Sequence, residues 1–327
     1  MTEASLFKSL SSAGFCERVG FYAIDIGARG GVDAAMLPLA WATTMIGFEP
    51  EPDEAAKLAQ RDPAPWRNRT ILPVAVGGFD GPATLHIPPS PESASLLPHN
   101  PEMIAWFGTA AQHQIDRRIP VETRSLDGLA AEGALIACDY LKIDVEGAEG
   151  DILSGGTKLL ETCLAIRVET SFLEQRVDQP LAWDIGRQLA DAGFLVIDLI
   201  GIQHWRNRQR PGFPYSSRAL MPCSRPVIAQ ADYIAVRDFR SVTNPVMAAK
   251  LILVTAALGY IDMAETMLNH QRATLAELVA ESGMNLDSDL IAISRALAKQ
   301  GPGPAIWQRV RDLVPLGRSL FGGLPAR

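Results

Sequence analysis

Residues 140–156 read YLKIDVEGAEGDILSGG, and this stretch decides the fold of the chain. It begins with a short apolar run, becomes acidic at Asp144, Glu146 and Glu149, and continues with apolar residues at helical spacing. A buried strand that leads into a helix has this pattern. The acidic residues then lie at the carboxyl end of the strand and in the first helical turn. Ligands bind at that edge of an open parallel sheet.

The composition is that of an ordinary globular protein, with 47% hydrophobic and 20% charged residues in a chain of 327. A net charge of −7 argues against a general nucleic-acid binder, which needs a basic face. The four cysteines are far apart and form no CxxC pair, so neither a zinc site nor a disulfide framework is indicated. We therefore expect a reducing compartment, the cytoplasm.

Targeting and membrane segments are not indicated by the sequence. The N-terminus lacks a basic region followed by an apolar core, so we expect no signal peptide. The longest apolar run, 246–260, contains Lys250 and is too short for a membrane span.

A glycine turn follows the first expected strand, 21–26, in the order Asp25, Gly27, Gly30. The second strand, 44–48, ends at Glu49, which lies 22 residues beyond Gly27. An acid at this spacing contacts the ribose hydroxyls in nucleotide-binding folds. These features predict a β–α–β unit that binds a nucleoside-containing cofactor.

The chemistry of this turn favours S-adenosylmethionine (SAM) over a dinucleotide. A pyrophosphate would be held at a helix N-terminus by a GxGxxG turn, which is absent here. Asp25, just ahead of the turn, suits a cofactor with a positive amino group, and SAM carries an ammonium, a sulfonium and a ribose diol. A nicotinamide-dependent oxidoreductase is the first alternative. A non-catalytic nucleotide-binding module is the second, although Asp25, Glu49 and Asp144 are all present.

The remaining elements continue the strand–helix alternation of an α/β sheet with helices on both faces. Further strands are expected at 70–76, 118–124, 164–169, 194–200 and 231–236, with 83–87 pairing back as a hairpin. Helices are expected at 34–42, 52–60 and 181–192. A Pro- and Ser-rich loop, 88–115, separates two of these strands and offers four candidates for an acceptor pocket: Ser93, Ser95, His99 and Asn100. A second loop, 201–227, is basic.

The tail, 241–327, is expected to form a helical extension to a domain of residues 1–240. Helices are predicted from Pro245, from a capping box at Thr274–Glu277, over 287–299 and over 304–313. We expect this extension to act as a structural cap or as a homodimer surface.

Seven segments occur in an order that resembles the FkbM family of SAM-dependent methyltransferases. They are DIGARGG (25–31), GFEP (47–50), VAVGGFDG (74–81), SASLLPHN (93–100), ETRSLD (122–127), LKIDVEGAE (141–149) and IRVET (166–170). The resemblance covers about residues 20–238. It implies a Rossmann-like methyltransferase sheet, mostly parallel with an antiparallel last strand. It also implies methyl transfer, usually to a hydroxyl of a sugar, glycolipid or natural product.

The resemblance also implies roles for individual residues. The turn of Asp25, Gly27 and Gly30 would shape the site for the methionine portion, with Arg29 in place of the small polar residue of many members. Glu49 would take the ribose hydroxyls. Val76 and Asp80 would lie near the adenine, and Asp144 would face the sulfonium and the acceptor.

A hydroxyl acceptor must lose its proton during the transfer, which requires a carboxylate or an imidazole within hydrogen-bond reach. The candidates are Asp144, Glu146, Glu169 and His99. The imidazole of His99 has a suitable ordinary pKa, but Asp144 is better positioned at the strand end, and we favour it. No spacing of these acids requires a metal. The acceptor is expected to be a small molecule or a glycan.

Overall fold

The computed structural model describes residues 2–108, 117–205 and 226–299, and ten strands lie in this part of the chain. They are β1 Phe21–Ile26, β2 Thr43–Phe48, β3 Asn68–Leu72, β4 Ala75–Val76, β5 Gly81–Ile87, β6 Arg117–Arg124, β7 Tyr140–Ile143, β8 Ala165–Ser171, β9 Phe194–Trp205 and β10 Val227–Arg237. Seven of these form one sheet in the order β3-β2-β1-β7-β8-β10-β9.

The large sheet has the predicted direction pattern. Strands β3, β2, β1, β7 and β8 pair in parallel, whereas β10 pairs antiparallel with both β8 and β9. Strand β7 consists entirely of buried residues, as expected for a central strand covered on both faces. The expected α/β class, a mostly parallel sheet with an antiparallel last strand, is confirmed.

A second sheet corrects the prediction for residues 70–87. The expected strand 70–76 is divided, because β3 ends at Leu72 and β4 joins a small sheet of order β4-β6-β5. Pro73 between them has no N–H to donate to a ladder, which accounts for the break. The expected hairpin of 83–87 on this strand is also wrong, since β5 pairs antiparallel with β6 instead.

Eleven helices complete the described chain. They are α1 Glu3–Lys8, α2 Ala13–Val19, α3 Pro52–Ala59, α4 Pro101–Phe107, α5 Leu126–Ala131, α6 Glu149–Ser154, α7 Thr157–Leu160, α8 Ala182–Asp191, α9 Pro245–Ala257, α10 Ile261–Ser282 and α11 Leu286–Lys299. The helix expected at 34–42 is a 3-10 helix, Leu37–Ala42, with Pro38 in its first turn. The capping box at Thr274 opens no helix, because α10 runs through it without a break.

Some predictions fall outside the described residues. The loop 88–115 is described to residue 108, and it contains a 3-10 turn, Pro91–Ser93, and α4. The basic loop is described only at its two ends, and the helix expected at 304–313 lies wholly outside. Residues 201–205 belong to β9 rather than to that loop.

The C-terminal helices share a core with the amino-terminal half of the chain. Helix α9 is apolar apart from Lys250 and Thr255, and eight of its residues are buried. It contacts β8 and β10, and its side chains pack in one apolar cluster with Phe21, Tyr140, α10 and α11. The boundary at residue 240 stays a prediction. None of the helices described here is long and apolar enough to cross a lipid bilayer.

Candidate functional site

A cleft of about 780 Å³, measured with its open mouth, lies at the carboxyl edge of the large sheet. The ends of β1, β2 and β7 border it, and residues from 91 to 96 form part of its wall. The predicted residues that line it are Gly27, Arg29, Glu49, Val76, Ser95 and Asp144. Asp25, Gly30, Asp80, His99 and Glu146 lie outside this lining in the described chain. The strand ends therefore meet as the sequence predicts, but only some predicted residues face the cleft.

Gly27 brings the turn after β1 against the end of β7. Its φ of +87° is in the left-handed region, and a Cβ there would lie 1.9 Å from the carbonyl oxygen of Asp144. The Gly27 N–H donates to the carbonyl of Phe48 at 3.1 Å, which also ties the turn to β2. Only glycine allows these three segments to meet so closely.

Lys142, the third residue of the otherwise apolar strand β7, lies at the centre of the site. Its Nζ donates to the carbonyl of Gly27 at 3.1 Å. The same atom lies 3.2 Å from Oδ1 of Asp25 and 3.3 Å from Oδ2 of Asp144. Burial lowers the pKa of Lys142, but the two carboxylates raise it more, so the net shift is upward. A lysine inside an otherwise apolar strand was the available signal.

Asp25 does not line the cleft itself, but it contacts Lys142, which does. It is 1% exposed, and its Oδ2 accepts the N–H of Asp33 at 2.6 Å. Burial raises the pKa of this carboxyl, and Lys142 offsets part of that rise. Asp25 thus supports Lys142 and the turn, and its predicted role in cofactor binding stays a prediction.

Glu49 lies at the opposite end of the cleft, at the tip of β2. It is 2% exposed, and its Oε1 accepts the Glu51 N–H at 2.9 Å and lies 3.4 Å from Nη2 of Arg29. Arg29 also pairs with the Glu51 carboxylate. Burial raises the pKa of Glu49, while the Glu51 N–H and Arg29 lower it. Arg29 therefore lines the cleft as an anchored partner of two acids.

Of the two residues predicted near the adenine, Val76 and Asp80, only Val76 lines the cleft. Val76 lines the cleft together with Val74 and Leu85 and gives it an apolar wall. Asp80 instead accepts the backbone N–H of Ser125 at 2.6 Å, just ahead of α5. Asp80 therefore holds Ser125, the residue that caps the amino end of α5.

Three carboxylates meet at the other end of the site, where β7 and β8 finish. One oxygen each from Asp144, Glu146 and Glu169 lies within 4.8 Å of the others. Carboxylate groups so arranged are compatible with a hard divalent cation, but each of them already has a partner in the chain, which for Asp144 is Lys142. Gln230 donates to Glu169, and Arg176 donates to Glu146 at 3.1 Å. Burial, and then Glu146 and Asp144, raise the pKa of Glu169 well above its ordinary value.

Asp144 is the open member of this cluster. Its side chain is 44% exposed, compared with 22% for Glu146. Glu146 was expected in the first turn of a helix, but α6 begins only at Glu149, and Glu146 has a φ of +62°. The reason is Glu149, whose buried carboxylate accepts the N–H groups of Val145 and Gly147 at 3.0–3.1 Å and closes a turn before the helix.

Arg176, which the sequence analysis missed, joins the segment before α4 to this acidic turn. Its side chain is 3% exposed. It donates to the Ser93 carbonyl at 2.9 Å, and its Nη1 lies 2.6 Å from Nδ1 of His99. The Ser95 hydroxyl donates to the Glu146 carbonyl at 2.8 Å. His99 is therefore near the acids, held through Arg176. Position 176 lies outside the matched motifs, so sequence gave no signal for it.

The fourth candidate for the acceptor pocket has a structural position. The Asn100 side chain accepts the N–H groups of Glu102 and Met103 and caps α4. It is the N-cap that its residue type favours.

A family model described as the methyltransferase FkbM domain matches residues 25–196, which is more than half of the chain. The chain belongs to the FkbM methyltransferase family. This confirms the resemblance found in the motifs. FkbM proteins are SAM-dependent methyltransferases, so the expected cofactor follows from membership of the family.

A curated relative, 2-O-methyltransferase NoeI of Sinorhizobium fredii, is 29% identical to this FkbM chain over 152 residues. The match covers 45% of this chain and 62% of NoeI, so it spans less than two thirds of the relative.

Solved structures also resemble the chain at low similarity. Magnesium protoporphyrin IX methyltransferase from Synechocystis PCC 6803, with bound SAM, has a TM-score of 0.33 and 14% identity over 72% of this chain and 77% of its own. The N-terminal domain of EvdMO1, with bound S-adenosylhomocysteine, has a TM-score of 0.28 and 10% identity over 72% and 81%.

Proposed function

We propose that this chain transfers the methyl group of SAM to a hydroxyl group of a sugar, a glycolipid or another natural product. The observation that carries the proposal is the cleft itself. It brings together a buried acid, Glu49, an open acid, Asp144, and an apolar wall that includes Val76. A ribose diol, a charged methionine portion and an adenine have chemistry that matches these three features.

The cofactor is proposed to lie along the edge of the sheet. Glu49 would accept the ribose hydroxyls, and Val76 would contact the adenine. The turn at Gly27 would hold the methionine portion, so that the sulfonium faces Asp144. The support for this orientation is the position of each residue in the lining.

Methyl transfer is an in-line displacement on a carbon that SAM has already activated. The main task of the chain is alignment of the two reactants, which can supply about 7–11 kcal/mol of the barrier. The chain must also accept the proton of the hydroxyl, and a positioned base contributes about 10²–10⁴ in rate.

Asp144 is the base that the geometry favours. Its carboxylate is the most exposed of the three acids and lines the cleft. Glu146 is held by Arg176, and the His99 ring lies against the same guanidinium. His99 is therefore the second candidate, and Glu146 the third.

The acceptor is proposed to be a small molecule or a glycan. The acid cluster of Asp144, Glu146 and Glu169 offers acceptors to hydroxyl groups and repels anions, which argues against a nucleic acid. The name of NoeI, a 2-O-methyltransferase, agrees with a hydroxyl acceptor. The proposed compartment is the cytoplasm, because the cysteine spacing in the sequence indicates no disulfide framework.

The C-terminal helices are proposed to act first as a structural cap, because α9 is buried against the sheet. A homodimer surface is the second role, since Ile291 on α11 is 51% exposed. Sedimentation velocity of the full chain separates them. A monomer across micromolar concentrations contradicts the dimer and leaves the cap.

Calorimetry with SAM, S-adenosylhomocysteine and NAD tests the proposed cofactor. We expect both adenosyl ligands to bind and NAD not to bind. Tight binding of NAD without binding of S-adenosylhomocysteine would contradict the proposal. Incubation with methyl-labelled SAM and fractionated glycans and glycolipids then tests the acceptor. Label in an alkali-stable ether supports a hydroxyl acceptor, whereas label in an amine or a carboxyl ester excludes it.

A further inference from the structure

Lys142 is a buried cation with three protein oxygen atoms around it. Its ammonium group donates to the Gly27 carbonyl at 3.1 Å and lies at ion-pair distance, 3.2–3.3 Å, from the carboxylates of Asp25 and Asp144. The Lys142 side chain is only 11% exposed, yet it lines the cleft. A carboxylate ligand that contacts this ammonium from the cleft therefore competes with the two carboxylates that already pair with it.

The two carboxylates on Lys142 differ in how easily they can be replaced. Asp25 is 1% exposed and also accepts the N–H of Asp33. Water could not solvate its carboxylate if Lys142 paired with another group, so breaking this pair is costly. The Asp144 side chain is 44% exposed and can be solvated by water when Lys142 leaves it. The pair with Asp144 is thus the one that can open.

Besides Lys142, the cleft in the described chain is lined by one other cationic side chain, Arg29, which already pairs with two carboxylates. Arg29 pairs with Glu49 and Glu51 at the opposite end, near the proposed ribose position. The methionine portion of SAM carries both an ammonium and a carboxylate. A carboxylate taken from water into this cleft needs a cation, and Lys142 lies beside the turn of Gly27.

We propose that Lys142 binds the carboxylate of the cofactor's methionine portion by exchanging it for Asp144. This inference rests on the proposed SAM cofactor. The number of ion pairs on Lys142 is unchanged by the exchange, because one carboxylate replaces another. Asp144 is released toward the cleft, where the cationic sulfonium and the acceptor would lie.

The exchange makes the freedom of Asp144 depend on the cofactor. Without SAM, the Asp144 carboxylate is paired with Lys142. With SAM bound, it faces the acceptor without that partner. A single lysine would then link cofactor binding to the availability of the proposed base.

The test compares two ligands that differ only in the carboxylate: S-adenosylhomocysteine and its decarboxylated analogue, which keeps the amino group. A charge-assisted hydrogen bond favours its ligand by roughly tenfold to hundredfold. Calorimetry should show this preference for S-adenosylhomocysteine in the wild-type chain. In Lys142→Met this preference should disappear, so that both ligands bind with about equal affinity. The affinity of the variant for the decarboxylated analogue should stay within a few fold of the wild-type value.

Control variants separate a contact from a structural effect. Lys158→Met removes an exposed lysine outside the cleft and should keep the wild-type preference. Asp144→Asn removes the competing carboxylate, so its preference should equal or exceed that of the wild type. If Lys142→Met does not fold, this second variant still decides. Loss of the preference in Asp144→Asn overturns the inference.

The outcomes also separate this inference from the proposed function. Equal binding of both ligands by the wild type overturns the role of Lys142 and leaves the SAM cofactor intact. Binding of neither ligand contradicts the proposed function itself. Weakening of both ligands by the same factor in Lys142→Met makes the lysine structural and overturns the inference.

Discussion

The two ends of strand β7 carry the same pair of residue types in two different environments. At the amino end, Asp139 pairs with Lys250 of α9 at 2.7 Å, and both side chains are at most 12% exposed. At the carboxyl end, Asp144 pairs with Lys142 at 3.3 Å, and the Asp144 side chain is 44% exposed. We call these the closed pair and the open pair.

The closed pair joins elements that must stay together. Asp139 also accepts the N–H of Tyr22 at 2.8 Å, and the Lys250 ammonium lies 5.1 Å from the ring centroid of Phe21. Burial raises the pKa of Asp139, and Lys250 offsets part of the rise. The open pair has one solvated partner and borders a cleft. The comparison teaches that exposure of one partner distinguishes an exchangeable ion pair from a structural one.

The largest effect is expected at the open pair, in Asp144→Asn. This change keeps the size of the side chain and removes its charge. We expect turnover to fall by about 10²–10⁴, the usual share of a general base, with no loss of SAM affinity. The measurements are single-turnover kinetics with the acceptor found by labelling, and calorimetry. Loss of SAM binding at unchanged saturated turnover would make Asp144 a cofactor ligand and His99 the next candidate base.

Breaking the closed pair should act on stability and leave the cleft intact. Lys250→Met leaves the Asp139 carboxylate buried without its cation, which costs about 3–5 kcal/mol in such pairs. Urea unfolding should show this loss, and the affinity for S-adenosylhomocysteine should stay unchanged. The double variant Asp139→Asn with Lys250→Met should recover part of the stability. A loss below about 1 kcal/mol would place the closed pair with ordinary surface pairs.

The smallest effect concerns Glu149, which supports the turn beside the open pair. Burial raises the pKa of Glu149 from 4.5 to about 7, against the N–H groups that lower it. The folded chain thus retains a proton that the unfolded chain releases, so the contribution of this group to stability falls as pH rises from about 4.5 to about 7.

The variant Glu149→Gln is neutral at every pH and lacks this dependence. We expect the unfolding free energy of the wild type, relative to the variant, to decrease by up to about 3 kcal/mol between pH 4.5 and 7.5. Urea unfolding of both proteins at several pH values provides the measurement. Parallel stability curves would show that Glu149 is ionised throughout and held by its backbone donors.

Much of the site could be predicted because its residues follow strand ends. Gly27, Glu49 and Asp144 end or follow parallel strands, and the carboxyl ends of such strands share one edge. Glu146 was wrongly expected in the helix, because the buried Glu149 carboxylate, three residues later, binds the N–H groups of Val145 and Gly147 and forms a turn there. Residue type and spacing do not predict that the Glu149 side chain accepts these backbone N–H groups.

Sequence alone determined the large sheet, the family and the expected cofactor, since the alternation of strands and helices and the order of the motifs are written along the chain. Only the tertiary structure decided which charged side chains of the chain pair with each other. It paired Lys142 with Asp144, placed Arg176 between Glu146 and His99, and paired Lys250 with Asp139 across 111 positions. The physical reason is that an ion pair depends on distance and burial, and neither is fixed until separate segments pack together.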